Sequence, residues 1–444
     1  MTAEPPSPAS AADVNPDVVR RKVAWRILPL VFLLYIVAYL DRINVGFAAL
    51  QMQQQLGFSD RVYGLGASMF FAGYFVFQVP SNLILQKIGA RRWIAAIMVV
   101  WGLTSSSMVL VSGPRSFYAL RFLLGIAEAG FFPGVILYLK RWFPPAARAR
   151  TVARFMTAAP LSGVIGGPIS GALLTLHGRS GFAGWQWLFL MEGIPAVVLG
   201  VVVAFYLVEL PEHAPWLTDQ QRAWLVESLA ADAALASERS SIWSAFASSR
   251  IWLLALIYCG LNTCSYGISL WLPNLIHSLS GLNSFAIGLL SAIPYVAAAI
   301  AMVQVGLHSD RTGERRWHVS LSAFAGAAAL LVAAYASQVS VMVAALSVAV
   351  LGVFCMVGPF WAMPTTLLTG SAAAAGIAFI NSVGNLGGFL GPNILGLARS
   401  STGQFKGGLI ILGIILALSG CIPLLFQTQK EKASPTSETP IVRR

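Results

Sequence analysis

Charge is what this chain has least of. Only 10% of its 444 residues are Asp, Glu, Lys or Arg, against roughly 25% in an ordinary soluble domain. Together with 57% hydrophobic residues and a mean hydropathy of +0.73, that excludes a soluble enzyme or binding module. Cysteine is nearly as scarce: Cys259, Cys264, Cys355 and Cys421 are scattered through apolar runs with no CxxC pair. Zinc-ribbon, redox and secreted disulfide frameworks are therefore excluded, and the four read as small core residues. HExxH and GxSxG are missing, and no His falls in the middle of an apolar run. An intramembrane hydrolase is thereby disfavoured, and no catalytic residue, metal or cofactor is expected. Residues 1–19, rich in Pro, Ala and Ser, hold no apolar core of a cleavable signal and are expected to form a disordered tail.

What is present is long apolar runs. They fall near 26–50, 62–86, 93–112, 116–140, 151–176 and 185–208, and again near 250–278, 284–308, 317–337, 339–368, 372–399 and 407–427. Each is long enough for a helix to cross a hydrocarbon core of about 30 Å. Twelve spans, an even number, place both termini on one side. The net charge of +12 agrees, because it is not spread evenly. Of 29 Lys and Arg, 22 lie in the tails and alternate loops starting at 87–92. Five (Arg61, Arg115, Arg179, Arg399, Lys406) lie in the opposite loops, and Arg42 and Arg121 lie inside spans. This asymmetry predicts cytoplasmic termini in a cell membrane, and it reports topology rather than a nucleic-acid partner.

Residues 209–249 are the one long polar connection, and Thr218-Asp219-Gln220-Gln221 predicts a capped surface helix there. The expected organisation is a tail (1–19), a six-helix half (20–208), the linker (209–249), a second half (250–428) and a second tail (429–444). The halves repeat at an offset of 224 residues. Gln86-Lys87-Ile88-Gly89-Ala90-Arg91-Arg92-Trp93 matches Asp310-Arg311-Thr312-Gly313-Glu314-Arg315-Arg316-Trp317, and Gly64-Leu65 matches Gly288-Leu289. Gly163, Gly167 and Pro168 match Gly387, Gly391 and Pro392 in the same register. Parallel six-helix repeats imply a midplane site between halves.

The stretch from Phe117 to Pro144 keeps Arg121 and Glu128 inside an apolar span, seven residues apart and so on one helical stripe. Asp41 and Arg42 interrupt the first span in the same way. Charges at membrane depth face protein or water, and mark function by default. The four sum to zero while offering two guanidinium forks to a carboxylate. A bound anion at an arginine would leave Glu128 or Asp41 without its counter-charge and ready to take a proton, a physical route to symport. Neighbours on a helix point about 100° apart, so Asp41 and Arg42 cannot both face one spot and one of them is a candidate structural charge; Glu128, on a single stripe with Arg121, is the favoured coupling acid. A purely structural ion pair is the alternative. Glu192, at a shallower depth in the sixth span, is divided between a local hydrogen bond and function. In the second half the polar candidates are neutral: Asn262, Tyr266 and Ser269 in the seventh span, Asn381 and Asn385 in the eleventh. Gln78, beside Pro80, is equally a substrate contact or a link between helices.

The loop His308-Ser309-Asp310-Arg311-Thr312-Gly313-Glu314-Arg315-Arg316 resembles the signature loop of the major facilitator superfamily. The first copy carries Gln86 where the family usually has Asp. Within that superfamily the chain resembles the anion:cation symporters. Tyr39-Leu40-Asp41-Arg42-Ile43-Asn44, Phe77-Gln78-Val79-Pro80-Ser81-Asn82, Arg121 to Pro133 and Gly184-Trp185-Gln186-Trp187 carry that likeness. The resemblance implies an all-α membrane fold of twelve transmembrane helices and uptake of a small organic carboxylate (tartrate-like, sugar acid or aromatic acid) with protons, by a monomer in the lipid bilayer. It implies proton coupling at Asp41 and Glu128, and a substrate site lined by Arg42, Arg121, Tyr39 and Tyr74. It also implies gate loops at Gly89 and Arg92 and at Asp310, Arg311 and Gly313. Gly163-xxx-Gly167-Pro168-xx-Gly171 resembles an antiporter motif, with Ala172 in place of its final Gly. A drug:proton antiporter is the runner-up, disfavoured by two intramembrane arginines.

Overall fold

The computed structural model describes residues 14–235, 248–367 and 372–426. The expected tail 429–444, most of the tail 1–19 and the middle of the linker lie outside these residues. The first six spans are α1 (Pro16–Leu56), α2 (Asp60–Ile88), α3 (Ala90–Ser106), α4 with α5 (Pro114–Glu128 and Phe131–Lys140), α6 running into α7 (Pro145–Met156 and Ala158–Leu174) and α8 (Gly184–Tyr206). After α9 (Asp219–Leu235) come α10 (Ser249–His277), α11 (Ser284–Thr312), α12 (Arg316–Ala334), α13 (Val339–Leu367), α14 (Ala372–Thr402) and α15 (Lys406–Cys421). Among the described residues eleven helical segments are long and apolar enough to cross a membrane. The twelfth place belongs to α14, whose Gly, Ser and Asn dilute its hydropathy and whose faces pack on α10, α2 and α15.

Local signals account for several helix starts. The Asn15 side chain accepts the Asp17 amide at 3.0 Å, and Pro16 opens α1. This helix starts earlier than the apolar run suggests, because Val19, Val23 and Ile27 bury one stripe beneath the basic Arg20, Arg21 and Lys22. The capping box at α9 forms as its spacing predicts: Thr218 Oγ1 accepts from Gln221 N, and Gln221 Oε1 from Thr218 N, each at 3.3 Å. The expected fifth span is interrupted at Thr157, between α6 and α7, and the fourth is broken as well. The chain turns at Ala129-Gly130 between α4 and α5, because Pro133 cannot donate to the carbonyl four residues back. A side chain at Gly130 would collide with Ser81 and Trp93, which are hydrogen-bonded to each other at 2.9 Å.

The halves meet along two related seams. Near one end of the bundle α2 crosses α14 where a β-carbon on Gly64 would sit 2.9 Å from the Pro392 carbonyl. Its repeat partner Gly288, on α11, is pressed in the same way against Gly167 on α7. Glycine is needed at these positions for close backbone approach rather than for an unusual φ. Asp60 pairs with Arg399 across the first seam at 3.3 Å. Farther along, Ser68 Oγ donates to the Phe389 carbonyl at 2.8 Å. A third contact runs down the centre, where α1 crosses α10: Gly46 leaves room for the carbonyl of Leu270, its own equivalent in the repeat, and Tyr63 donates to that carbonyl at 2.6 Å.

Candidate substrate and proton site

Where α1 and α10 cross, Arg42 and Tyr266 stand 224 residues apart and meet, with Arg42 Nη1 donating to the Tyr266 hydroxyl at 3.1 Å. Two equivalent positions of the repeat thus touch at its centre, one charged and one neutral. The rest of the Arg42 fork goes to α4. Its Nε donates to Glu128 Oε1 at 2.6 Å, and Nη2 lies 2.5 Å from the same oxygen. Aromatic faces complete the surroundings, with the guanidinium carbon 5.3 Å from the Tyr74 ring centre and 5.7 Å from that of Phe70. Glu128 is fully buried, Arg42 is 9% exposed, and Glu128 Oε2 has no hydrogen-bond partner among the described residues.

Helical spacing puts Arg121 and Glu128 on one stripe, yet they do not pair. Arg121 points away into α2, donating to the Ala67 carbonyl at 3.4 Å and lying 5.1 Å from the Phe70 ring centre. It is fully buried. Asp41 faces away from Arg42, as the angle between neighbouring helix positions requires. It accepts from Trp101 Nε1 at 2.5 Å, from Asn44 Nδ2 at 3.0 Å and from the Ser105 hydroxyl. So the first half holds two separate polar centres: the Arg42–Glu128 pair toward the other half, and the Asp41 cluster against α3.

The remaining candidates divide by what they touch. Tyr39 is buried, its ring edge-on to Tyr35. Gln78 accepts from Ser382 at 3.3 Å and so links α2 to α14 between the flanking Asn381 and Asn385, both half-buried. Asn262 spends its amide on the Gly384 carbonyl of α14 at 3.0 Å, and Ser269 accepts from Tyr295 at 2.8 Å. Of the neutral candidates, Tyr266 reaches the charge pair by a hydrogen bond and Tyr74 by its ring face.

At the other end of the bundle, one residue escaped the sequence reading. The Glu209 carboxylate accepts the backbone amides of Ala90 and Arg91, both at 2.8 Å, and pairs with Arg141. It caps α3 through the positive end of its dipole. Gly89 has a φ of +88°, and a β-carbon there would sit 2.9 Å from Glu209. Gln86 removes the loop's own acid, and Glu209 supplies one from the end of the sixth span. Its signal was a lone acid closing an apolar run. In the second loop Asp310 is retained and pairs with Arg315 at 2.7 Å, while Gly313 turns the chain at a φ of +68°. Arg92 and Arg311 are exposed.

Known proteins share both the fold and the sequence. The family model described as "Major Facilitator Superfamily" matches residues 31–392. An Agrobacterium vitis protein named "Putative tartrate transporter" is 51% identical over 94% of this chain and 93% of its own. The "Quinolone resistance transporter" of Acinetobacter baumannii is 41% identical over 91% and 93% of the two chains. A solved bacterial homologue of the human lysosomal transporter Spinster, in an inward-facing and occupied conformation, superposes with a TM-score of 0.75 at 15% identity. It covers 90% of this chain and 96% of that one, a likeness of fold alone. A resident ion pair at the contact between two six-helix repeats, on twelve membrane spans, is a carrier's arrangement rather than an enzyme's, and the chain belongs to the major facilitator superfamily of membrane transporters.

Proposed function

We propose that this protein imports a small organic carboxylate together with a proton, by alternating access of the two halves (20–208 and 250–428). The observation that carries this reading is the Arg42 fork, shared between Glu128 of its own half and Tyr266 of the other. A substrate carboxylate that takes the fork displaces Glu128. The displaced acid, fully buried, then has no cation beside it and takes a proton, because an unpaired buried charge is far costlier than a neutral acid. The site is electrically balanced once both have bound, and a balanced site can move through a closed state. Tyr74, over the guanidinium, and Tyr266 complete the anion site. Arg121 supplies a fixed positive field deeper in, and Asp41 is the second proton-bearing acid. Asn381 and Asn385 line the path and read the hydroxyls of a polyol acid. The Agrobacterium vitis relative's name supports tartrate-like acids as the class.

The basic loops put both termini in the cytoplasm of a bacterial inner membrane. The Asp60–Arg399 end is then periplasmic, so the seams are closed outward, and the Glu209 and Asp310 loops belong to the inward gate. A monomer suffices, since both halves lie in one chain.

A second reading, export of drugs against protons, is favoured by the Acinetobacter baumannii relative. Proteoliposomes with an imposed proton gradient separate the two. Accumulation of a labelled hydroxy acid or aromatic acid, lost when the gradient is collapsed, is expected. Failure of every carboxylate, with dye or quinolone exchange against protons, overturns symport in favour of the antiporter.

A further inference from the structure

Among the described residues five charged side chains are buried: Asp41, Arg42, Arg121, Glu128 and Glu192. Three acids therefore face two arginines. Glu128 is held by Arg42, and Arg121 is within electrostatic reach of Asp41. Glu192 is left over, on α8, and its own contacts show how it is accommodated.

From α7, Ser170 Oγ donates to Glu192 Oε1 at 2.7 Å. From α3, Trp101 and Ser105 approach but give their hydrogens to Asp41. From α1 comes Asn44, fully buried and adjacent to both acids. Its Nδ2 donates to Asp41 Oδ1 at 3.0 Å. Two acceptors in this cluster remain buried without a donor, Glu192 Oε2 and Asn44 Oδ1. Among the described residues the titratable group facing Glu192 is Asp41: α3 and α7 bring serines and a tryptophan, and Arg42 on α1 is turned to Glu128. A bare carboxylate here would sit in a dry site beside a second acid with no cation in contact, at a cost of several kcal/mol or more. Two unsatisfied acceptors in one buried cluster would both be met by a single added hydrogen.

We infer that Glu192 is held as a neutral carboxylic acid whose Oε2–H donates to Asn44 Oδ1, so that Asn44 bridges it to Asp41 and the two acids share a single proton. Turning the Asn44 amide over gives the complementary arrangement. Asn44 Nδ2 then donates to an ionised Glu192, and a protonated Asp41 donates to Asn44 Oδ1. One O–H bond is lost at Glu192 and one gained at Asp41, and the cluster's single negative charge is unchanged. This makes the space between α1, α3, α7 and α8 a proton store on the far side of α1 from the Arg42–Glu128 pair. It lets Asp41 be neutralised without a proton arriving from solvent. The store stands whatever the cargo is, so its failure and that of the symport reading are separable.

The test is infrared spectroscopy of the purified full-length protein near neutral pH, in water and in deuterated water. Wild type is expected to show the carbonyl stretch of a buried protonated carboxylic acid, shifted by deuterium. Glu192→Gln should lack that band and melt close to wild type, since its amide supplies the same hydrogen to Asn44. Glu128→Gln should keep it. Asn44→Ala should keep the band at a shifted frequency, which serves as the readout should Glu192→Gln fail to fold. A wild-type spectrum without the band, or a band that survives Glu192→Gln, overturns the neutral acid. A band unmoved by Asn44→Ala overturns the bridge.

Discussion

The two halves share a fold and a register but not a chemistry. At the repeat offset, Arg42 corresponds to Tyr266, Arg121 to Ala345, Glu128 to Gly352 and Glu192 to Leu416. Where the first half spends α4 on charge, the second spends α13 on packing: a β-carbon on Gly352 would lie 2.6 Å from the Ser322 carbonyl. A buried ion pair contributes little net stability against an apolar replacement of the same shape, so stability alone does not account for the charges of the first half. In the proposed mechanism the first half carries its charges for a task. Transport needs one set of charges that binds and releases, and a second wall to close upon it.

The most direct way to break this asymmetry is Arg42→Ala, which strands Glu128. We expect it to destabilise the first half by about 3–5 kcal/mol and to abolish uptake. Thermal unfolding alongside transport checks it, and a variant of normal stability would mean that the pair is not coupled to the fold. Next is Glu128→Gln, an acid fixed in its neutral form. Accumulation against a gradient should vanish while exchange of substrate across the membrane persists, and surviving accumulation would move the coupling to another acid. Arg121→Lys keeps the charge but not the planar fork. With Phe70 packed over the guanidinium, a loss of roughly tenfold or more in substrate affinity is expected, and unchanged affinity would leave Arg121 a structural cation. Gly64→Val and Gly288→Val probe the symmetric side of the comparison. Because the two glycines are equivalent in the repeat and each meets backbone, both should slow transport to a similar degree without altering substrate preference. Unequal effects would show that the seams do not move together. The smallest effect is expected for Tyr266→Phe, which removes one hydrogen bond worth about 1–2 kcal/mol. Roughly a tenfold loss in affinity with coupling intact would match, and loss of coupling would assign the hydroxyl a larger part.

Much of this was legible in the chain, for reasons that are local. Apolar length fixes spans, the Thr218 box starts α9, and the 224-residue register names the glycines that form the seams. The membrane makes these signals strong, since each span must satisfy its backbone within itself. The signature loop was legible too, but its missing acid was not: Glu209 lies 123 residues beyond Gln86 in the chain and reaches the loop only when α8 packs against α3.

Composition, span length and internal repetition, each a property of neighbours along the chain, determined by themselves that this is a membrane carrier built twice over. They also pointed to the five ionisable side chains that lie buried, Asp41, Arg42, Arg121, Glu128 and the shallower Glu192. Which charge meets which was decided by tertiary structure alone. Helical spacing pointed Glu128 at Arg121, and the fold brought Arg42 of α1 to it instead. The direction of a side chain is set by its own helix, but its partner is set by the helix that happens to face it.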